Sequence, residues 1–292
     1  MTDELRMTDA GLPALFSAAD RRAVQSQTTF LRTTAFQIYG LILLAAVETW
    51  SGITDSTRVA DIAVAVIAAG LILLRVLSRS WRSEKSWYQA RAAAESLKTM
   101  SWKLMMRAAP FEGDDAERLF LARLTGLLRD LSDRPIAPSR SDAPQVTDLM
   151  RRVRAAPLET RMALYRRDRI EDQAAWYTGR ATYHERRALA WDAALLTLLL
   201  VELVLAIVRI SGGEIPVSSL IATGVATITT WTGARGFESL AVAYSVAAHE
   251  LLAIRSEIET LALDETVWAT FVNDAEEAIS REHTTWSASR QT

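Results

Sequence analysis

Apolar positions gather into four long stretches, at about residues 35–53, 59–77, 192–211 and 215–234, and charged side chains crowd the regions between and around them. Ile215 to Ala234 runs twenty residues without a charge. At about 1.5 Å per residue such a helix covers the roughly 30 Å hydrocarbon core of a bilayer. The other stretches carry one or two charges each: Glu48, then Asp61 with Arg75, then Glu202. Asp61 and Arg75 lie near helix ends and can snorkel, whereas Glu48 and Glu202 lie deeper, where an ionisable group costs about 2.5–3.5 kcal/mol to insert. No segment shows the period-two alternation of a strand. The pattern predicts an all-α membrane protein whose four transmembrane helices form two hairpins. A soluble α-protein with buried core helices is compatible with 50% apolar residues, but the length of the fourth stretch argues against it.

The flanks support spans and give them a direction. Of nine tryptophans, Trp50, Trp81, Trp87, Trp176, Trp191 and Trp231 sit close to the ends of the stretches, where an interfacial belt places them. Arg79, Arg82, Lys85 and Arg91 follow the second stretch and Arg180, Arg186 and Arg187 precede the third, while the hairpin connections hold only Arg58. The positive-inside rule then puts both termini and the middle of the chain in the cytoplasm, as a multi-pass protein of the bacterial inner membrane. The opening residues lack the basic start and small-residue cleavage site of a signal peptide. With no cysteine, neither a disulfide nor a zinc-thiolate site is available.

Outside the stretches the chain also reads as helix: Ser78 to about Ala108 continuing the second span, Glu112 to Leu131 with one apolar face, Pro157 onward as one long helix or as two broken near Asp168, Gly236 to Leu263, and Glu265 to Arg281 behind an Asp264 cap. Three prolines between Ser132 and Pro144 mark a linker. It divides the chain into a first two-span unit at 1–131, a linker at 132–145 and a second two-span unit at 146–292. The halves correspond: Leu41 to Glu48 reads LILLAAVE and Leu195 to Glu202 reads LLTLLLVE, and each hairpin is followed by a tyrosine and a glutamate, Tyr88 with Glu95 and Tyr244 with Glu250. This is a parallel duplication, unlike the inverted repeats of many transporters.

Net charge is −2 but uneven. Residues 78–192 hold 22 basic and 16 acidic side chains, and residues 235–292 hold 4 and 10. The basic middle invites either pairing with the acidic tail or contact with anionic lipid headgroups.

Chemistry is sparse. His249 and Glu250 begin an HExxH-like string, but Ala253 stands where the second histidine belongs, and there is no phosphate-binding glycine loop or nucleophile elbow. No enzyme, cofactor or metal is expected, nor direct nucleic-acid binding. The remaining signals are in the spans. Ser219, Thr223, Thr227 and Thr230 share one helical face of span four and can line a wet pathway, while Ser218, Ala222 and Ala226 make a small-residue face suited to helix packing. Glu48 and Glu202 are candidates for an ion pathway, or for a structural role in which they are neutral or paired with Arg58 or Arg209. Phe120, Tyr165 and Trp268 are either partner contacts or core.

The segment RIEDQAAWYTGRATYHERRA, Arg169 to Ala188, stands directly before the second hairpin. It resembles the SLATT family of two-span effector domains, and Arg169, Gln173, Trp176, Tyr177 and Arg180 match that family's pattern. SEKSWYQARAAAESLKTMSWKLMMRAAPF, Ser83 to Phe111, is similar to the segment after the hairpin in another branch. The resemblance implies a tandem pair acting as a pore-forming effector of a prokaryotic antiviral (antiphage) defence system, a homo-oligomer triggered by a cytoplasmic nucleotide-signalling or sensor protein. Four helices enclose no pore readily, so conduction requires oligomerisation. A non-conducting scaffold or sensor that docks a cytoplasmic partner, and a small ion transporter, are the competing function classes.

Overall fold

Pro13, which fixes φ and needs no donor, opens the first long helix, and the computed structural model carries it from there without interruption through the first apolar stretch. The structure describes residues 4–54, 57–77, 80–130, 144–213 and 215–288, excepting the side chains at 57, 80–85, 130 and 281–288. Ten α-helices and no strand occur among the described residues: α1 (Ala14–Thr54), α2 (Thr57–Leu77), α3 (Ser80–Met106), α4 (Ala116–Asp130), α5 (Asp148–Ala155), α6 (Leu158–Leu164), α7 (Asp172–Ile210), α8 (Ser218–Arg235), α9 (Phe237–Ile258) and α10 (Glu265–Ala288). Within α1, α2, α7 and the run from α8 into α9 lie four windows long and apolar enough to cross a membrane. This is the all-α membrane-type fold expected from the pattern.

Local chemistry sets several boundaries differently from the sequence pattern. The fourth span starts at Ser218 rather than Ile215, because Pro216 interrupts the backbone donors before it. It ends at Gly236, whose φ of 59° is left-handed and whose N–H closes the helix on the Thr232 carbonyl at 2.8 Å. The α4 helix begins at Ala116 instead of Glu112, after a turn through Gly113. Near Asp168 the helix does not break; it widens into a π-helical turn, Tyr165–Glu171, between α6 and α7. Asp264 does cap α10, accepting from the N–H groups of Thr266 and Val267 at 2.9 and 3.0 Å. The expected linker falls on residues 132–143 and the expected continuity of span two on 78–79, both outside the described residues.

The chain forms two compact units. The bundle unit combines Met1–Ser26, Lys85–Ala181 and Val242–Thr292, and the span unit Gln27–Glu84 and Thr182–Ala241. In the bundle unit Trp102, Phe111, Phe120, Tyr165 and Trp268 are almost wholly buried, so Phe120, Tyr165 and Trp268 are core rather than docking contacts. Trp87, expected in an interfacial belt, is also buried there, stacked on Tyr88 with ring centroids 4.7 Å apart. The segment ahead of α1 and the first turn of α1 are strapped onto this core by three bonds: Met7 N–H to Asp168 Oδ2 at 2.8 Å, Thr147 Oγ1 to the Gly11 carbonyl at 2.8 Å, and Leu15 N–H to Gln145 Oε1 at 3.1 Å.

The span unit is the reverse in character. Its large apolar side chains face outward: Val66, Ile72, Val76 and Leu203 are all more than half exposed. So extensive an apolar surface on a folded unit is a surface for lipid. Inside each hairpin a glycine lies against a leucine of the facing helix. A Cβ on Gly40 of α1 would lie 2.5 Å from Leu71 of α2, and one on Gly224 of α8 would lie 3.1 Å from Leu198 of α7.

Candidate functional site

The π-helical turn places Arg169 inside the bundle core, 1% exposed, where an isolated guanidinium is untenable. Its partner comes from α10, 107 residues away. Arg169 Nε and Nη2 grip the two oxygens of the fully buried Glu276 at 2.8 and 2.7 Å. Tyr165 Oη donates to Glu276 Oε1 at 3.1 Å and Thr99 Oγ1 to Oε2 at 2.9 Å, so four donors surround the carboxylate. Burial acts against the Arg169 charge, but the Glu276 carboxylate outweighs it and holds the guanidinium above its ordinary pKa. Burial first, and then the same carboxylate, pushes the Tyr165 hydroxyl well above the usual tyrosine range.

From Arg169 the network continues up α7 at helical spacing. Arg169 Nη1 donates to Gln173 Oε1 at 2.5 Å, and Gln173 Nε2 to Tyr177 Oη at 3.4 Å. The Tyr177 ring lies 5.6 Å from that of Tyr244 on α9, Trp176 packs edge-on to both, and the Arg180 guanidinium covers Trp176 at 5.3 Å. All five motif residues therefore belong to one assembly. A second buried arginine, Arg161, donates to the Ala156 and Met106 carbonyls at 3.1 and 2.9 Å and pairs with Glu265 at the start of α10. Arg154 bonds the Leu104 carbonyl at 2.7 Å, so the end of α3 is held by two arginines of the following helices. With Arg166 to Glu259 at 3.0 Å, these contacts are the pairing of basic middle with acidic tail that the charge distribution invites.

Sequence reading reaches the arginines but not Glu276, and it places the tyrosine–glutamate pairs in equivalent roles that the structure does not give them. Glu95 is buried against Arg91 at 2.6 Å, whereas Glu250 is exposed. The string Trp-Tyr-x-x-Arg occurs at Trp87–Arg91, after the first hairpin, and at Trp176–Arg180, before the second, and lies in the bundle unit both times.

In the span unit the candidate pathway residues are dispersed. Glu48 is exposed on α1 and, among the described residues, pairs with neither Arg58 nor any other cation. Glu202 is ion-paired along α7 with Arg209 at 2.9 Å. Of the hydroxyl stripe, Ser219 and Thr230 are exposed, Thr223 is half-buried and Thr227 is buried. Thr223, Thr227 and Thr230 donate to carbonyls of their own helix, and Ser219 meets Thr49 of α1 at 3.2 Å. The helix approach runs on the side of Gly224 and Thr227, while Ala222 and Ala226 of the expected packing face are exposed.

Two family models match the chain: SMODS and SLOG-associating 2TM effector domain 3 over residues 13–162, and domain 1 of the same series over residues 165–286. The chain belongs to the SLATT family, as two tandem domains. The second SLATT match and the π-helical turn both begin at Tyr165, and Arg169 lies four residues further on. Neither SLATT model is that of a catalytic family. No curated protein and no solved structure matches the chain.

Proposed function

We propose that this tandem SLATT protein is a defence effector of the bacterial inner membrane. In this reading it assembles as a homo-oligomer and opens a cation-conducting path when a cytoplasmic nucleotide-signalling or sensor partner engages the bundle unit, with both termini on the cytoplasmic side. The family description as a two-span effector domain supports a membrane effector. The observation that carries conduction is Glu48: a carboxylate within the first span, exposed on a single chain and without a cation among the described residues. A charge so placed in lipid costs several kcal/mol, which water in a shared path or a neighbouring subunit removes. Rings of such carboxylates attract cations, and Glu202 would add a second.

The test is the double substitution of Glu48→Gln with Glu202→Gln, compared with wild type at equal membrane abundance. Neutral amides keep the helices inserted while removing the negative potential. Toxicity on expression and cation flux in liposomes should fall together. Undiminished cation flux would demote both glutamates to structural roles, and absence of flux from the wild type would favour a non-conducting scaffold.

A further inference from the structure

Two hairpins that share an acidic position treat it differently, and the difference lies in one side chain. On α7, Arg209 stands seven residues beyond Glu202, two helical turns along the same face. Its Nη2 donates to Glu202 Oε1 at 2.9 Å and its Nη1 donates to Ser218 Oγ, the first residue of α8. The guanidinium is thereby held between two partners, the carboxylate and the first residue of the next helix. Only one carboxylate oxygen is engaged. Glu202 Oε2 is shielded from solvent and has no hydrogen-bond partner among the described residues, on a side chain that is otherwise 32% exposed. The bond joins two residues of one helix, so releasing it requires a side-chain rotation and no movement of either span.

We propose that Arg209 is a built-in counter-ion that masks Glu202 in the resting protein, and that its withdrawal bares a carboxylate able to take a cation. The consequence for permeation rests on the pore reading above; the masking itself does not. Among the described residues Glu48 has no such mask, so the two glutamates act at different stages: Glu48 is always available, and Glu202 only after release. The arrangement is graded by design. One guanidinium bonded singly, and shared with a hydroxyl, is a weaker hold than the two-pronged grip that Arg169 has on Glu276.

The full-length protein in native membrane vesicles provides the test, with dicyclohexylcarbodiimide as probe. This reagent modifies carboxyl groups in apolar surroundings, and a guanidinium held against the carboxyl oxygen blocks its approach. Glu202 should be nearly unreactive in wild type and in Arg209→Lys, and several-fold more reactive in Arg209→Gln, read by mass spectrometry of the modified peptide. Expression toxicity and cation flux should rise in Arg209→Gln and return to the Glu202→Gln level in the double variant. Equal labelling of wild type and Arg209→Gln, or a rise in flux that survives Glu202→Gln, overturns the proposal. Increased labelling with no flux from any variant upholds the masking and removes the pore reading instead. Arg209→Lys guards against misfolding, since it keeps the charge, and labelling of that variant at the Arg209→Gln level also overturns the proposal.

Discussion

The bundle unit and the span unit solve the same problem, the satisfaction of buried polar groups, over very different distances in sequence. In the bundle unit Arg169 meets Glu276 across 107 positions and Arg161 meets Glu265 across 104. In the span unit the threonines of α8 donate to carbonyls three or four positions back, and Arg209 reaches seven. Long-range charged pairs specify which helices assemble, because a misassembled bundle leaves a charge buried alone. Hydroxyls bonded to their own helix specify nothing about neighbours, and one bond, Ser219 with Thr49 across 170 positions, joins the two hairpins, so the spans take their arrangement mainly from shape, at Gly40 with Leu71 and Gly224 with Leu198.

The strongest challenge to this contrast is Glu276→Ala. It leaves the Arg169 guanidinium unpaired and should cost about 3–5 kcal/mol, read as loss of the bundle transition in thermal unfolding. Adding Arg169→Met should recover part of that loss, and a double variant as unstable as the sum of the singles would show that the pair is not coupled. Gly40→Val is the matching experiment in the spans. The added atoms collide with Leu71, and overpacking of about 1–3 kcal/mol should be relieved by Leu71→Ala. If Gly40→Val is silent, shape does not set that hairpin.

Alkaline titration sharpens the comparison further. Because the Tyr165 pKa is raised in the folded state, the unfolded chain loses this proton first, so stability is intact below pH 10 and declines as pH climbs toward the folded value. Tyr165→Phe should remove that component of the alkaline loss in the bundle transition; an unchanged profile would mean that the hydroxyl is not held by Glu276. The smallest effect is expected from Thr227→Val. The buried hydroxyl bonds only the Gly224 carbonyl of its own helix, so the change should stay within about 0.6 kcal/mol, and a much larger loss would reveal a neighbour-specifying role.

The spans are legible in the sequence because hydropathy over some twenty residues is a local property, and the Asp264 cap is legible for the same reason: the residues that decide it are adjacent. The partner of Arg169 is not, since nothing near Glu276 distinguishes it from Glu277, which is half exposed and faces Lys103 at 3.6 Å. Charge distribution predicts that the middle and the tail attract; only the fold chooses which carboxylate is buried. Trp87 misleads because a tryptophan close to a span end satisfies the interfacial pattern whether it faces headgroups or stacks on Tyr88. Nor does composition announce the π-helical turn, which turns on one extra residue in the hydrogen-bond register. The span-four boundary fails by three residues at Pro216, where apolar character continues but backbone donors do not.

The strap that binds Met7, Gly11 and Leu15 has a consequence for how the chain is made. Its anchors, Gln145, Thr147 and Asp168, are translated some 130 to 160 residues later, at about 5–20 residues per second. During those seconds both helices of the first hairpin can enter the bilayer while the apolar strap side chains Leu12 and Phe16 still await their docking surface. Two of the anchors, Gln145 and Thr147, lie in the first SLATT match and the third, Asp168, in the second, so the strap is complete only after synthesis has passed from one domain into the other.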